Sequence, residues 1–303
     1  MTQPPEAGPR PEGGPSVAIV TGASSGLGLA ATAALVRDGA TVIMACRNQV
    51  KGEQALATCT GSGQAVVAEL DAARPESVEA FSRWFIDRYD RLDLLINNAG
   101  VMAPPPALTA DGVELQWATN HLGHFALTGL LLDRLVNTEA SRVVAVSSLA
   151  AAGGRIHGYD PTSLDGYRRL AAYANSKLAN LVFALELDRR LRRGGFATRA
   201  VAAHPGVTHT NLAAGIDGGL RSRAVLALSR FTTQSVTQGV QPILRAATDP
   251  AVEGAQYFGP SGWRQYRGSA VLIPVPPSAT DPTQGPALWD QSVTLSGVDY
   301  LRP

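Results

Sequence analysis

The chain has 303 residues, 45% of them apolar and 17% charged, with a formal net charge of +1. That is ordinary for a globular protein with a sizeable core, and it offers no basic excess for a nucleic-acid surface. Its two cysteines, Cys46 and Cys59, make neither a disulfide framework nor a CxxC pair; the five histidines form no HExxH or Cys/His cluster, so no metal site is expected.

Residues 1–15 hold eight prolines and glycines and read as a disordered tail. The tail has no apolar h-region, and no stretch approaches the roughly 18 uninterrupted apolar residues of a membrane span. The expectation is a soluble, cytoplasmic protein in a reducing compartment, with a small-molecule substrate, no nucleic-acid partner and no membrane attachment.

Ser16–Thr21 is a short β-branched apolar run, the pattern of a buried parallel strand. Gly22-Ala23-Ser24-Ser25-Gly26-Leu27-Gly28 follows, then an apolar helix pattern from Leu29 to Val36. A strand, a glycine-rich turn and a helix start together make a phosphate-binding cradle, because backbone N–H groups at a helix N-terminus face an anion. In this arrangement Gly22 permits the tight turn, Gly26 lets a pyrophosphate approach the backbone, and Gly28 lets the helix pack on the strand.

Ala40–Ala45 reads as the second strand, whose end faces the adenosine ribose in such folds. An acid there would bind a 2′-hydroxyl. Here Cys46-Arg47-Asn48 follows, with Lys51 one turn beyond, so no carboxylate repels a 2′-phosphate and two cations are placed to hold one. NADP(H) is therefore expected over NAD(H).

Gln64–Leu70 is the third strand, ending at Asp71, and a helix carrying Val78, Phe81, Trp84 and Phe85 comes next. Leu92–Ile96 is the fourth, leading into Asn97-Asn98-Ala99-Gly100. Residues 113–136 form one long helical pattern containing Asn120-His121-Leu122-Gly123-His124-Phe125. Arg142–Ser147 is the fifth strand, with Ser148 just past it. A helix over 171–193 carries Tyr173 and Lys177, and Ala197–Ala203 is the sixth strand, followed by His204 to Thr210. Strand and helix alternate without a domain-scale linker. That predicts one doubly wound parallel sheet of Rossmann type, a three-layer α/β/α single domain over 16–303, with ligands at the carboxyl ends of the strands. A mobile substrate loop is expected at 207–231, a helix at Gln234–Ala247, and an irregular segment at 259–303 with a short helix near 283–296.

Tyr173 and Lys177 are four apart, on one face of a helix. A cation beside a phenol favours the phenolate, which makes a general acid or base usable near neutral pH. The chain has 24 arginines and only two lysines, Lys51 and Lys177. Elsewhere its positive charge is arginine, a wide planar fork that does not give up a proton.

Thr21-Gly-x-x-x-Gly-x-Gly28, Asn97-Asn-Ala-Gly100, Asn120, Ser148, Tyr173-x-x-x-Lys177 and Pro205-Gly206 occur in the order and approximate spacing of the short-chain dehydrogenase/reductase family, which this chain resembles over about residues 16–250. Ala45-Cys-Arg-Asn48, Asn120-His-Leu-Gly-His-Phe125 and Ser176-Lys-Leu-Ala-Asn180 look like its retinol dehydrogenase and protochlorophyllide reductase-like branch, most of whose members use NADP(H).

The resemblance implies that Tyr173 is the acid/base and that Ser148, chosen over its neighbour Ser147 by position in the Ser-Ser motif, donates to the substrate oxygen. Lys177 would lower the tyrosine's pKa and hold the nicotinamide ribose, and Asn120 would hold a relay water. Gly22, Ser24, Ser25, Gly26, Leu27 and Gly28 would surround the pyrophosphate; Arg47, Asn48 and Lys51 the 2′-phosphate; Leu70, Asp71, Asn98, Ala99 and Gly100 the adenine and ribose; and Pro205, Gly206, Val207, Thr208 and Thr210 the carboxamide and pyrophosphate.

The reaction implied is hydride transfer between the nicotinamide and a carbonyl or hydroxyl of an apolar substrate, with Met102, Leu149, Phe231 and Trp263 as candidate contacts. Reduction of a C=C or C=N bond, and a cofactor-sensing protein without turnover, are the alternatives. Ser148 and Tyr173 are 25 positions apart, wider than the compact family spacing, which leaves Gly153–Leu170 as an insertion. That insertion is expected to rim the substrate pocket. Because it stands to hinder the family's helix-paired dimer, homo-oligomer and monomer both stay open.

Overall fold

The computed structural model describes residues 16–208 and 234–302. The expected tail, Thr210, Phe231 and most of the 207–231 loop lie outside the described residues.

The apolar runs of the central strands, such as Val17–Thr21 and Thr41–Cys46, form strands because every residue has one of two buried faces to occupy. β1 (Val17–Thr21), β2 (Thr41–Cys46), β3 (Gln64–Glu69), β4 (Leu94–Asn97), β5 (Arg142–Val146), β6 (Arg199–Ala203), β7 (Tyr257–Pro260) and β8 (Ala270–Leu272) make one sheet in the order β3-β2-β1-β4-β5-β6-β7-β8. The first seven run parallel, and β8 returns antiparallel to β7. Alternate residues feed opposite cores: Val17 and Ile19 point to one, Ala18 and Val20 to the other.

One face is covered by α1 (Gly26–Arg37), α2 (Gln49–Leu56), α8 (Val236–Gly239) and α9 (Gln241–Thr248). The other is covered by α3 (Pro75–Ile86), the helical run from Leu115 to Val136, α7 (Arg169–Arg193) and α10 (Gln284–Ser296). The result is the expected doubly wound, three-layer α/β/α arrangement. Proline at the first turn and Val78, Phe81 and Phe85 on one stripe explain α3. Gly297, left-handed at φ 70°, ends α10 within two residues of the sequence expectation.

Three differences from the expectation stand out. The 113–136 helix is interrupted: α4 (Leu115–Trp117) passes into a π turn (Ala118–Leu122), then α5 (Gly123–Leu130) and α6 (Leu132–Val136). Gln234–Ala247 breaks at Val240, because Pro242 sits in the first turn of α9 and starts a new helix. The segment expected to be irregular from 259 contains β8 and the end of β7; β7, four residues with a glycine and a proline, is fixed by pairing with β6, and the three-residue β8 by pairing back on β7, not by local pattern. Among the described residues no helix is long and apolar enough to cross a membrane, and no group of three or more His, Cys, Asp or Glu side chains is placed to hold a metal ion.

Candidate active site

The glycine turn is built as its sequence requires. Gly22 (φ 68°) and Gly26 (φ 57°) take left-handed backbone conformations that favour glycine. A Cβ on Gly28 would lie 2.5 Å from the Gly22 carbonyl oxygen and 2.7 Å from Asn98 Nδ2. Ser25 is extended and starts α1 without a side-chain cap, so the first amides of the helix, from Gly26, Leu27 and Gly28, face outward over the carboxyl edge of the sheet. Ser24 lies against the Cys46 thiol at the end of β2, and burial pushes that thiol up to about 11.

Thr21 joins this turn to the segment after β4. Its hydroxyl accepts N–H bonds from Asn98 and Ala99, both at 2.9 Å, and Asn98 Nδ2 donates to the Thr21 carbonyl at 2.8 Å. Gly100 comes next. A Cβ there would stand 3.1 Å from Asn120 Oδ1 and 3.4 Å from Lys177 Nζ, so the missing side chain keeps open the space in front of the lysine.

The π turn sets Asn120, which is fully buried, among three segments. Its Oδ1 accepts from Val101 N at 2.7 Å, and its Nδ2 donates to Val101 O at 3.0 Å and to Ser176 Oγ at 2.9 Å. Ser176 immediately precedes Lys177. Lys177 is 3% exposed, and its Nζ donates to Val146 O at the end of β5 at 3.0 Å.

The Ser148 hydroxyl stands near the Tyr173 phenol, whereas Ser147 donates to the Lys177 carbonyl at 2.7 Å. The two serines therefore differ in place: one is near the phenol, the other ties down the helix. Burial raises the Tyr173 phenol, and the nearby Ser148 hydroxyl works against it. Lys177 is not among the causes, so the expected depression of the phenol by the lysine is not seen here. Burial acts on both groups instead: it pulls the ammonium down to about 8 while raising the phenol.

The 2′-phosphate candidates divide. Asn48 Oδ1 accepts the Lys51 N–H at 2.9 Å and so caps α2. The Arg47 and Lys51 side chains are exposed, and among the described residues neither makes an ion pair or hydrogen bond. Leu70 is buried at the end of β3, and Asp71 Oδ1 accepts from Ala73 N at 3.0 Å, folding the carboxylate over its own turn. Past β6, Gly206 is left-handed at φ 65° against Tyr266 and Pro260. Val207 donates its N–H to Tyr266 O and accepts from Gln234 N, leaving its side chain as the surface it can offer; Thr208 Oγ1 donates to Pro205 O at 2.8 Å.

Met102 and Leu149 are half-buried, while Trp263 is 71% exposed with the Arg264 guanidinium 4.7 Å from its ring centre. The Gly153–Leu170 insertion is held by a buried polar cluster that the sequence did not announce. Gln116 Nε2 donates to Tyr167 Oη at 2.8 Å and to Arg169 O at 3.0 Å, and the Tyr167 hydroxyl donates to Glu114 Oε1 at 3.0 Å. Arg155 N donates to Asn175 Oδ1 at 2.8 Å, so the insertion runs beside the helix that carries Tyr173. A separate apolar crevice of about 480 Å³ lies between α3, α5 and the chain after α10; none of the candidate site residues lines it.

The glycine turn and the space kept by Gly100 fit a bound dinucleotide. Comparisons with known proteins give the family. The short chain dehydrogenase family profile matches residues 16–219. Mouse retinol dehydrogenase 14 is 39% identical over 294 residues, covering 92% of this chain and 85% of its own. Bovine retinol dehydrogenase 12 is 43% identical over 292 residues, covering 94% and 87%. The crystal structure of an uncharacterized protein from Mycobacterium paratuberculosis superposes with a TM-score of 0.76 at 41% identity, covering 94% of this chain and 96% of that one. The chain belongs to the short-chain dehydrogenase/reductase family, on its retinol dehydrogenase-like branch, and is an oxidoreductase built for a nicotinamide cofactor.

Proposed function

We propose that this protein is an NADP(H)-dependent alcohol dehydrogenase or carbonyl reductase for an apolar substrate. The observation that carries the reading is the buried Tyr173 phenol, with the Ser148 hydroxyl near it and Lys177 one turn along the same helix. The cofactor supplies the hydride from C4 of its nicotinamide ring. Tyr173 gives its proton to the carbonyl oxygen during reduction and takes it back during oxidation. Ser148 donates a hydrogen bond to the same oxygen and orients it toward the phenol. Lys177, protonated below about pH 8, holds the ribose hydroxyls and stabilises the phenolate once the proton has left.

The preference for the 2′-phosphorylated cofactor rests on Arg47 and Lys51, two exposed cations without partners among the described residues. The apolar substrate class draws on the names of the relatives, retinol dehydrogenases 12 and 14, and on the half-buried Met102 and Leu149, close in sequence to Gly100 and Ser148. A panel of retinal, retinol, aliphatic aldehydes and small ketones, assayed with NADPH, NADP⁺, NADH and NAD⁺, tests this. Turnover with NADPH and an apolar aldehyde or ketone is expected. A clear preference for NADH removes the 2′-phosphate assignment; loss of a C=C bond with the carbonyl retained removes the carbonyl-reductase assignment.

A further inference from the structure

His124 has no part in the chemistry above, yet it is 2% exposed and lies at the centre of the site's scaffold. Its Nδ1 is 2.9 Å from the carbonyl oxygen of Asn120, and its Nε2 is 2.9 Å from Thr21 Oγ1. A carbonyl oxygen only accepts, so Nδ1 carries a proton.

The other end of the ring is fixed by a count of donors. The Thr21 hydroxyl already accepts from Asn98 N and Ala99 N, which fills its lone pairs. Its own proton must point outward, and His124 Nε2 at 2.9 Å is nearer than Ile96 O at 3.4 Å. Nε2 is therefore the bare, accepting nitrogen. Burial keeps the imidazole neutral by holding it down to about 4, which matches one proton on the ring.

The ring thus bridges two parts of the site that the sheet brings close but does not join. On one side, Thr21 sets the amides of Asn98 and Ala99, and Asn98 packs against Gly28 of the glycine turn. On the other, Asn120 holds Val101 and Ser176, the residue before Lys177. We propose that His124, as the Nδ1–H tautomer, is a positioning residue that couples the dinucleotide-holding loops to the Asn120–Lys177 side of the site. The coupling rests on the dinucleotide reading given above, and the two are separable by experiment.

Two measurements test it on the full chain. The first is nitrogen NMR of the wild-type protein labelled at its histidine rings. His124 should show a protonated Nδ1 and a bare Nε2. His121 is the internal contrast: its Nε2 lies 2.9 Å from Ser292 Oγ, which itself donates to Leu288 O, so it should carry its proton on Nε2. A protonated Nε2 on His124 overturns the proposal without any variant.

The second is NADPH titration by fluorescence of wild type, Thr21→Val, His124→Asn and the double variant. Asparagine retains a donor where Nδ1 was and loses the acceptor for Thr21. His124→Asn, which loses one buried hydrogen bond, should weaken binding about tenfold; Thr21→Val, which also leaves the Asn98 and Ala99 amides without their acceptor, should weaken it more, and the double change should bind no more weakly than Thr21→Val alone. Unchanged or additive affinities overturn the coupling while leaving the cofactor reading intact. A wild-type protein that binds neither NADPH nor NADH overturns both.

Discussion

The two lysines of this chain sit at opposite ends of the proposed cofactor site, and they are built in opposite ways. Lys177 is 3% exposed, anchored on Val146 O, and close to Gly100 and to Asn120, whose amide is already hydrogen-bonded to Val101 and Ser176. Lys51, with Arg47, stands exposed and without a side-chain partner among the described residues. At the first end, burial has set the geometry before any ligand arrives, lowering the proton affinity of the lysine and raising that of the tyrosine. At the second, the protein supplies charge and leaves the geometry to the ligand. Chemistry needs the first kind of site, because misplacement by a fraction of an ångström is costly; recognition of a phosphate tolerates the second.

The largest effect expected from breaking this contrast is at the buried end. Lys177→Met should cut turnover by about two to three orders of magnitude, because the phenolate loses its nearby cation. Lys177→Arg should rescue little of it: the guanidinium fork is wider than the space between Gly100 and Asn120. Steady-state kinetics at saturating NADPH checks both, and full activity of the arginine variant would show that only charge matters.

Burial also carries a pH signature. His121, His124 and His204 are held neutral, down to about 3, 4 and 4, mainly by desolvation. Below their ordinary value near 6.5 the unfolded chain binds protons that the folded chain does not. Stability should therefore fall as pH drops from about 6.5 toward 4, by several kcal/mol in sum. Urea midpoints between pH 7 and 5, above the main carboxylate range, measure it; a flat profile contradicts the buried neutral rings.

A smaller change is expected at the exposed end. Arg47→Ala with Lys51→Ala should weaken NADPH binding about 10- to 100-fold, leave NADH binding unchanged, and flatten the salt dependence of NADPH affinity. Equal losses for both cofactors would move these cations away from the 2′-phosphate.

Legibility in the sequence follows the range of the interaction that decides each feature. The glycine turn, the first six strands and Tyr173–Lys177 were readable because their causes are local: positive φ, two-residue alternation, one helical turn. The π turn at Ala118–Leu122 was not, although Asn120 itself was, since an extra residue in a helix leaves no change in hydrophobic period that a short window reveals. β7 depends on pairing with distant β6, and β8 in turn on β7; the Glu114–Gln116–Tyr167 cluster spans about fifty positions of sequence, as the 51-residue separation of Gln116 and Tyr167 shows. His124 stood in plain view within a recognised motif, but its duty depends on Thr21, 103 positions away.

The proposed chemistry turns on the phenol, and the most direct measurement removes its hydroxyl alone. Tyr173→Phe keeps the ring that fills the buried site and loses the proton donor near Ser148. NADPH binding should stay within about threefold of wild type, while single-turnover reduction of the preferred apolar aldehyde or ketone should slow by about 10³-fold or more. Reduction at the wild-type rate by the phenylalanine variant would contradict the assignment of Tyr173 as the acid/base.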